Sequence, residues 1–144
     1  MVFRENMSSS STLGFRIEAF RCGCGEIIND FKYLRRREDV RRVLQIFLPT
    51  EHELRQQLLD QLRELKCLFE QSQFFNQHEL IGSSLLIIHD AEKVGVWMID
   101  FAKTLPLTDD RLPIDHRKDW VVGNHEDGYL KGLDNLTNLL QDLL

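Results

Sequence analysis

The chain has 144 residues, 42% of them hydrophobic, and a formal net charge of −5 from 23 acidic and 18 basic side chains. This length and composition are typical of one folded domain with a hydrophobic core, and they exclude intrinsic disorder for most of the chain. The acidic balance argues against a dedicated nucleic-acid-binding protein, and no apolar run approaches the ~18 residues that a transmembrane helix needs.

The first third of the chain is predicted to contain a strand, a turn and a helix. Residues 13–20 alternate imperfectly between apolar and polar side chains, which predicts a strand. The glycines of Cys22-Gly23-Cys24-Gly25 predict a turn. Residues 38–48 carry apolar side chains at helical spacing, and Pro49 ends that predicted helix.

A leucine-rich helix and a β-hairpin follow. Thr50 and Glu53 have the spacing of a capping box, and apolar residues then recur every three or four positions through residues 54–69. Two apolar runs, residues 85–88 and 94–101, predict a hairpin whose strands are buried on both faces. A last helix follows the polar stretch 115–128. We therefore predict an α+β fold in which an antiparallel sheet, centred on this hairpin, packs against the leucine-rich helix and the C-terminal helix.

The sharpest chemical signature comes directly after the hairpin. Asp100 leaves the end of a strand and is followed by Phe101-Ala102-Lys103. A carboxylate in this position can hold the Mg²⁺ that neutralises the phosphates of ATP, and Lys103 can meet a phosphate of the acceptor. Ser84, opposite in the hairpin, can supply a hydroxyl to the same metal. These short motifs alone favour a structural interpretation, in which Asp100 caps the next turn and Ser84 bonds to backbone.

Several longer motifs, which follow one another along the chain, favour a functional interpretation instead. They are Ser83-Ser84-Leu85-Leu86 with His89-Asp90, then Val96 to Thr104, then Gly123 to Asn135 with the sequence GNHEDGYLKGLDN. Together with residues 10–18 upstream, these motifs resemble the inositol polyphosphate kinase family over essentially the whole chain. Residues 10–18 are similar to the segment that closes that family's inositide-binding insert. Ala102 departs from the family's glycine, which would cause backbone strain if the position requires a positive φ.

The resemblance implies an ATP-dependent kinase that phosphorylates the 3-hydroxyl of inositol 1,4,5-trisphosphate, giving inositol 1,3,4,5-tetrakisphosphate, with ATP and Mg²⁺ as cofactors. Asp100 would be the catalytic residue and a metal ligand, and Ser84 would support the metal. Arg4, Arg21 and Lys103 would bind substrate phosphates, and Asp100 and Arg21 would contact ATP. Arg21 stands where the family has a lysine. The substitution replaces a compact ammonium by a planar guanidinium, which donates hydrogen bonds with a different geometry.

The resemblance also sets the expected domain. It places residues 1–144 in the C-terminal portion of a two-lobed catalytic domain, with residues 1–20 closing the insert. The family's N-terminal lobe, with its ATP-clamping lysine, and its Pro-x-x-x-Asp-x-Lys-x-Gly motif are missing from these residues. The alternative is a truncated, inactive fragment that at most binds inositol phosphate, with apolar surface exposed on Ile87, Ile99 and their neighbours. A purely structural helical adaptor would leave the motifs at Asp100 and at residues 123–135 unexplained.

The expected partner is the small-molecule inositol phosphate, with no nucleic acid and no membrane span. Calmodulin is considered only for the longer parent protein, through a site outside this chain. Three cysteines without framework spacing and the lack of a signal-peptide core favour a cytoplasmic location.

Three further patterns receive a structural interpretation. The arginines between residues 35 and 42 are interrupted by Glu38 and Asp39 and predict a solvated helix face. The Cys22-Gly23-Cys24 pair with His52 or His89 lacks the second ligand pair of a zinc site. Three histidines have no paired nucleophile in the sequence, so no acid–base triad is assigned to His89, His116 or His125.

Overall fold

Helices flank two small antiparallel sheets in this structure, a computed structural model that describes residues 7–144. The elements in chain order are α1 (Ser10–Leu13), α2 (Arg37–Phe47), α3 (His52–Gln71), α4 (Gln73–Asn76), β1 (His78–Leu80), β2 (Ser84–His89), β3 (Val94–Ile99), β4 (Thr104–Pro106), a 3-10 turn (Asp109–Arg111) and α5 (Tyr129–Asp142). This mixture confirms the α+β class. In the part of the chain that is described, no helix combines the length and apolarity needed to cross a membrane.

The long helix α3 organises the core. It packs against β3 and against α5, and its most buried side chains are Leu58, Leu59, Leu62 and Phe69. Full burial of one such side chain contributes about 1.5–3 kcal/mol, so this apolar face holds the layers together. The predicted amphipathic helix is therefore confirmed, although Leu65 on the same stripe is only half-buried.

The start of α3 differs from the prediction. The capping box of Thr50 and Glu53 is wrong, because the helix begins at His52 and its N-cap, Glu51, makes no side-chain cap. Thr50 therefore lies one position too early to cap the first turn. The side chain of Arg55 instead donates to the carbonyl oxygens of Pro49 at 2.6 Å and Leu143 at 2.7 Å, which ties this end of α3 to the end of α5. The helix predicted at residues 38–48 is confirmed as α2.

The strand predicted at residues 13–20 is also wrong. Residues 10–13 form the single turn α1, Gly14 closes it with φ +76°, and only Phe20 makes a β-bridge, to Ile28. The segment between them pairs with no strand of the described structure, and the hydroxyl of Ser9 donates a hydrogen bond of 2.7 Å to the carbonyl oxygen of Phe15. The backbone of Gly14 packs directly against Gly132 of α5. The turn predicted at Cys22–Gly25 is confirmed by a hydrogen bond from Gly25 N to Cys22 O.

The predicted hairpin is confirmed, and its register pairs Ser84 with Ile99 at one end and His89 with Val94 at the other. The single sheet is not confirmed, because β1 pairs with β4 in a separate two-stranded sheet. The C-terminal helix α5 makes its main contacts with α3 and α1 rather than with the hairpin.

Only one face of the hairpin packs on the core, where its residues are half-buried, so the prediction of two buried faces is wrong. The residues of one face pack on the core: Leu85, Ile87, Val96 and Met98. The residues of the other face, which we call the open face, are between 40% and 54% exposed: Leu86, Ile88, Trp97 and Ile99. Alternate residues of a strand point to opposite sides, and α3 covers one side. The apolar exposure expected of a fragment is thus found at Ile99 but not at Ile87.

Candidate functional site

Asp100 lies where β3 ends, with its backbone held in a rarely populated conformation. Its φ is +66°, a left-handed value that costs a residue with a side chain roughly 1 kcal/mol or more. Ser83 Oγ donates a hydrogen bond of 2.9 Å to the carbonyl oxygen of Asp100. The residue is exposed, and within residues 7–144 its carboxylate has no hydrogen-bond or ion-pair partner. The surrounding chain thus presents a free carboxylate on a fixed, strained backbone.

The next residues turn sharply, and the turn carries an exposed cation. Thr104 donates to the carbonyl oxygen of Phe101 through its backbone N at 3.2 Å and its hydroxyl at 2.9 Å. Lys103 lies in this turn, is exposed, and has no ion-pair partner in the described part of the chain. Ala102, where the resembling family has glycine, does not have a positive φ, so its side chain introduces no strain of that kind.

Ser84 lies next to this loop but forms no hydrogen bond with Asp100 in the described structure. Its register partner is Ile99, the residue before Asp100, whereas the hydroxyl that bonds to the Asp100 backbone belongs to Ser83. The predicted pairing of Ser84 with the end of the second strand is confirmed. No group of three or more His, Cys, Asp or Glu residues among residues 7–144 could hold a metal by itself. One carboxylate and one hydroxyl nevertheless match Mg²⁺, which is bound through few protein oxygens together with substrate phosphates.

The two predicted arginines are not brought to this loop by any described contact. Arg21 lies on an exposed segment, next to Phe20, whose ring is 5.8 Å from that of Phe47. Phe47 in turn accepts a hydrogen bond of 2.6 Å from His89, at the end of β2 remote from Ser84. About 17 Å of strand separates the two ends of β2. Arg4 falls outside the described residues.

A buried histidine, to which the sequence assigned no role, anchors the segment 123–135. His116 is fully buried with φ +62°, and its Nδ1 lies 2.8 Å from a carboxylate oxygen of Asp127. Its Nε2 lies 2.7 Å from the carbonyl oxygen of Phe75. Both partners accept hydrogen bonds, which favours the doubly protonated ring. Burial by itself lowers the pKa of His116, but the hydrogen bond and charge of Asp127 outweigh it and raise the pKa above its ordinary value.

Two neighbouring carboxylates complete this network. Glu126 accepts the backbone N–H groups of Asp115 at 3.1 Å and His116 at 2.9 Å. Asp127 accepts the backbone N–H groups of Leu80 at 2.8 Å and Tyr129 at 3.0 Å. Each acidic residue therefore satisfies two backbone donors, and Asp127 joins β1 to the start of α5. The sequence signal for this network is the pair Glu126-Asp127, directly before a helix.

The His116 network reaches the Asp100 loop through aromatic packing. Phe75, whose carbonyl binds His116, stacks on Phe69 with ring centroids 4.3 Å apart. The ring of Phe101, beside Asp100, lies 6.3 Å from the ring of Phe75. Phe101 remains 40% exposed, so it rests on the core without entering it. Phe75 thus links the loop, through Phe101, to the buried His116.

The arginine cluster has the structural role predicted for it, and the cysteine pair is exposed. Four arginines of the basic cluster pair with acidic residues on exposed surface: Arg36, Arg37, Arg41 and Arg42. Cys22 and Cys24 are exposed free thiols, and they form no three-ligand group with any histidine in the described structure.

Comparison with known proteins agrees with the motifs. A sequence model of the inositol polyphosphate kinase family matches residues 1–141. The chain is 49% identical to inositol-trisphosphate 3-kinase A of Homo sapiens over 99% of its own length and 31% of that protein. It is 48% identical to the inositol-trisphosphate 3-kinase homolog of Caenorhabditis elegans, again over 99% of this chain and 29% of the relative. The chain thus spans about a third of the length of these relatives.

Proposed function

The chain belongs to the inositol polyphosphate kinase family, and from this premise we propose that it forms the C-terminal portion of a kinase that transfers the γ-phosphate of ATP to the 3-hydroxyl of inositol 1,4,5-trisphosphate. The observation that carries the proposal is the Asp100 loop. It presents a carboxylate on a left-handed backbone, three positions before an ammonium, and neither group has a partner among residues 7–144. Neither group is used to stabilise the described fold, and their charges suit a metal-bound nucleotide and a phosphorylated acceptor respectively.

In the proposed reaction the protein positions two highly charged substrates and stabilises the charge that moves between them. Asp100 would hold the metal and Ser84 would support it through its hydroxyl. Bound Mg²⁺ would neutralise charge on the phosphates of ATP. Lys103 would hold a phosphate of the inositol ring, so that the 3-hydroxyl faces the γ-phosphate. The turn that Thr104 closes fixes the spacing between Asp100 and Lys103.

The remaining predicted contacts extend the site beyond this loop. Arg4 and Arg21 would bind further phosphates of the substrate, and Arg21 would also contact ATP. We propose that residues 1–144 belong to a two-lobed catalytic domain and that residues 1–20 close its inositide-binding insert. Support comes from the relatives, in which the matched segment is about a third of the protein. The inositol phosphate would be the partner of this surface.

The test is a chimera in which residues 1–144 replace the matched segment of human inositol-trisphosphate 3-kinase A. The match covers 99% of this chain, so the whole chain can replace one continuous segment of the relative. The chimera then supplies every part of the relative that this chain does not contain. We expect ATP- and Mg²⁺-dependent formation of the tetrakisphosphate at rates within about tenfold of the parent enzyme. Asp100→Asn should then reduce kcat by ~10³-fold or more.

The matched control is Asp109→Asn. Asp109 is also an exposed carboxylate in a loop, and the described structure gives its side chain no partner. It should leave the rate unchanged. A fully active Asp100→Asn chimera would refute the role of Asp100. A folded chimera without activity would show that this segment cannot support the proposed phosphate transfer.

The second candidate function is a fragment that binds inositol phosphate without transferring phosphate. The open face of the hairpin favours it, because an apolar surface of this kind is normally covered. Thermal unfolding of the 144-residue chain, with and without inositol 1,4,5-trisphosphate and Mg·ATP, separates the two. A transition sharpened and raised by inositol phosphate alone supports binding without chemistry, whereas turnover by the chain itself at about 1–100 s⁻¹ would exclude the fragment.

A further inference from the structure

An exposed ribbon projects from the core between α1 and α2. All residues from 21 to 30 are exposed, and the ribbon is closed at its base by two backbone hydrogen bonds between Phe20 and Ile28, of 2.9 and 2.8 Å. Phe20 anchors that base by stacking on Phe31, with ring centroids 5.6 Å apart. The base of the ribbon is therefore anchored, and its tip is exposed to solvent.

The tip carries two thiols on either side of a glycine. Gly25 N donates to Cys22 O at 3.1 Å, so residues 22–25 form a tight turn. Gly23 has φ +56°, while Cys24 does not have a positive φ, which is the pattern of a turn that requires glycine at its first central position. Cys22 and Cys24 are both free and exposed.

The geometry of this turn suits a covalent link between the two thiols. Residues two apart span at most about 7 Å of fully extended chain, and a turn shortens that distance. Disulfides accept Cα separations of roughly 4.4–6.8 Å. No atom lies within 4 Å of the position that a Gly23 Cβ would occupy, so the turn can adjust without a clash.

We propose that Cys22 and Cys24 form a redox-active dithiol that is closed into an intra-turn disulfide by a small disulfide oxidant such as oxidised glutathione. The thiolate of one cysteine attacks the disulfide bond of the oxidant, forms a mixed disulfide and releases one glutathione thiol. The second protein thiolate then attacks the protein sulfur of the mixed disulfide, forms the Cys22–Cys24 bond and releases the second glutathione thiol. Two protein thiols are oxidised and one glutathione disulfide is reduced to two thiols.

Cys67 gives the internal comparison. It is also exposed and free, but it lies on α3, and its sulfur accepts a hydrogen bond of 3.2 Å from Gln71. It has no second thiol beside it in the helix. Cys67 should therefore stop at the mixed disulfide, whereas the turn should proceed to closure.

The experiment uses the full 144-residue chain in three variants: Cys67→Ser, which keeps the pair, and Cys22→Ser with Cys67→Ser and Cys24→Ser with Cys67→Ser, which keep single thiols. All three positions are exposed, so the fold is retained, and circular dichroism checks it. Each variant is equilibrated with increasing oxidised glutathione at fixed reduced glutathione, and intact mass and tryptic peptides are measured. Cleavage after Arg21 and Lys32 places both thiols in one peptide.

The Cys67→Ser variant should lose two hydrogen atoms, without an added glutathione, at oxidant concentrations at least about tenfold below those that half-modify the single-thiol variants. Urea should reduce this advantage several-fold, because the turn no longer holds the thiols together. Stable mixed disulfides on the pair, at the concentrations seen for single thiols, would overturn the proposal. An advantage of the same size in urea would overturn its basis in the folded turn.

Discussion

Ser83 Oγ donates a hydrogen bond of 2.9 Å to the backbone carbonyl oxygen of Asp100, across the end of the β2–β3 hairpin. The bond leaves the carboxylate of Asp100 free while it fixes the backbone that carries it. Ser84, the next residue, has no such bond and lies opposite Ile99. The two neighbouring serines therefore have different roles: Ser83 supports the loop, and the hydroxyl of Ser84 is available to a ligand.

Ser83→Ala should lower the free energy of unfolding by about 0.5–1 kcal/mol, because one partly exposed hydrogen bond is lost. It should also speed amide hydrogen exchange in residues 100–104. Ser84→Ala is the matched control and should change neither quantity, while weakening Mg·ATP binding in the chimera. Urea unfolding and hydrogen-exchange mass spectrometry measure the first two effects. Equal losses from both substitutions would contradict the division of roles.

His116→Leu should lower the free energy of unfolding by about 3–5 kcal/mol. The substitution leaves the buried carboxylate of Asp127 without its cationic partner, and it leaves the carbonyl of Phe75 without a donor. His52→Leu is the control, because His52 is exposed at the start of α3. Urea unfolding at pH 6 compares the two, and similar small losses would show that the His116 pair contributes little.

The same pair predicts how stability depends on pH. The pKa of His116 is raised in the folded protein, so the folded state binds this proton more tightly than the unfolded chain does. Its contribution is complete below about pH 6.5, the ordinary value for histidine, and is lost as the pH rises through the raised value. Urea unfolding between pH 6 and 9 should show this loss in the parent chain and in His52→Leu. The slope should be much smaller in His116→Leu.

Gly132→Ala should destabilise the protein, although alanine normally favours a helix. An added Cβ would lie 2.5 Å from the carbonyl oxygen of Gly14, a backbone atom that cannot rotate away. We expect a loss of about 1–3 kcal/mol from this overpacking. Asn138→Ala, at an exposed position of the same helix, should instead gain a few tenths of a kcal/mol. Thermal unfolding measures both changes. A gain in stability at both positions would show that α1 packs on α5 less closely than this distance indicates.

Ile88→Lys should reduce self-association and dye binding without loss of stability. Ile88 is 54% exposed on the open face, where a lysine can reach water. Ile87→Lys is the matched control one residue away; because Ile87 packs on the core, this substitution should unfold the chain. Light scattering, a hydrophobic dye and urea unfolding give the three readouts. Loss of stability from both substitutions would mean that both faces are covered.

The periodic elements of this fold could be predicted from sequence because their cause is local. Apolar spacing alone predicted α2, α3 and α5, and the two apolar runs predicted the hairpin. The capping box at Thr50 failed because the helix begins only at His52, where Arg55 links the first turn to Leu143, a residue far along the chain. The strand at residues 13–20 failed because Gly14 packs on Gly132 and no second strand is adjacent. Contacts between distant segments leave no periodicity to read.

The site shows the same division. The motif placed Asp100 and Lys103 in one loop, and the predicted hairpin placed Ser84, at the start of one strand, opposite the end of the other. The supporting roles of Ser83 and His116 depend on a hydrogen bond across the hairpin and on a pair with Asp127, and residue spacing does not reveal either. The roles of Arg4 and Arg21 remain predictions, as they depend on segments that the described contacts do not connect to Asp100.

The open face of the hairpin also gives the molecule an optical reporter. The indole of Trp97 lies across Gly95, so closely that an added Cβ there would fall 2.2 Å from the ring, and half of this side chain is in water. Anything that covers the face removes that water. With Trp120→Phe, which leaves Trp97 as the single tryptophan of the chain, a blue shift of the emission would report directly that the open face has been covered, whether by a nucleotide, another copy of the chain or a different polypeptide.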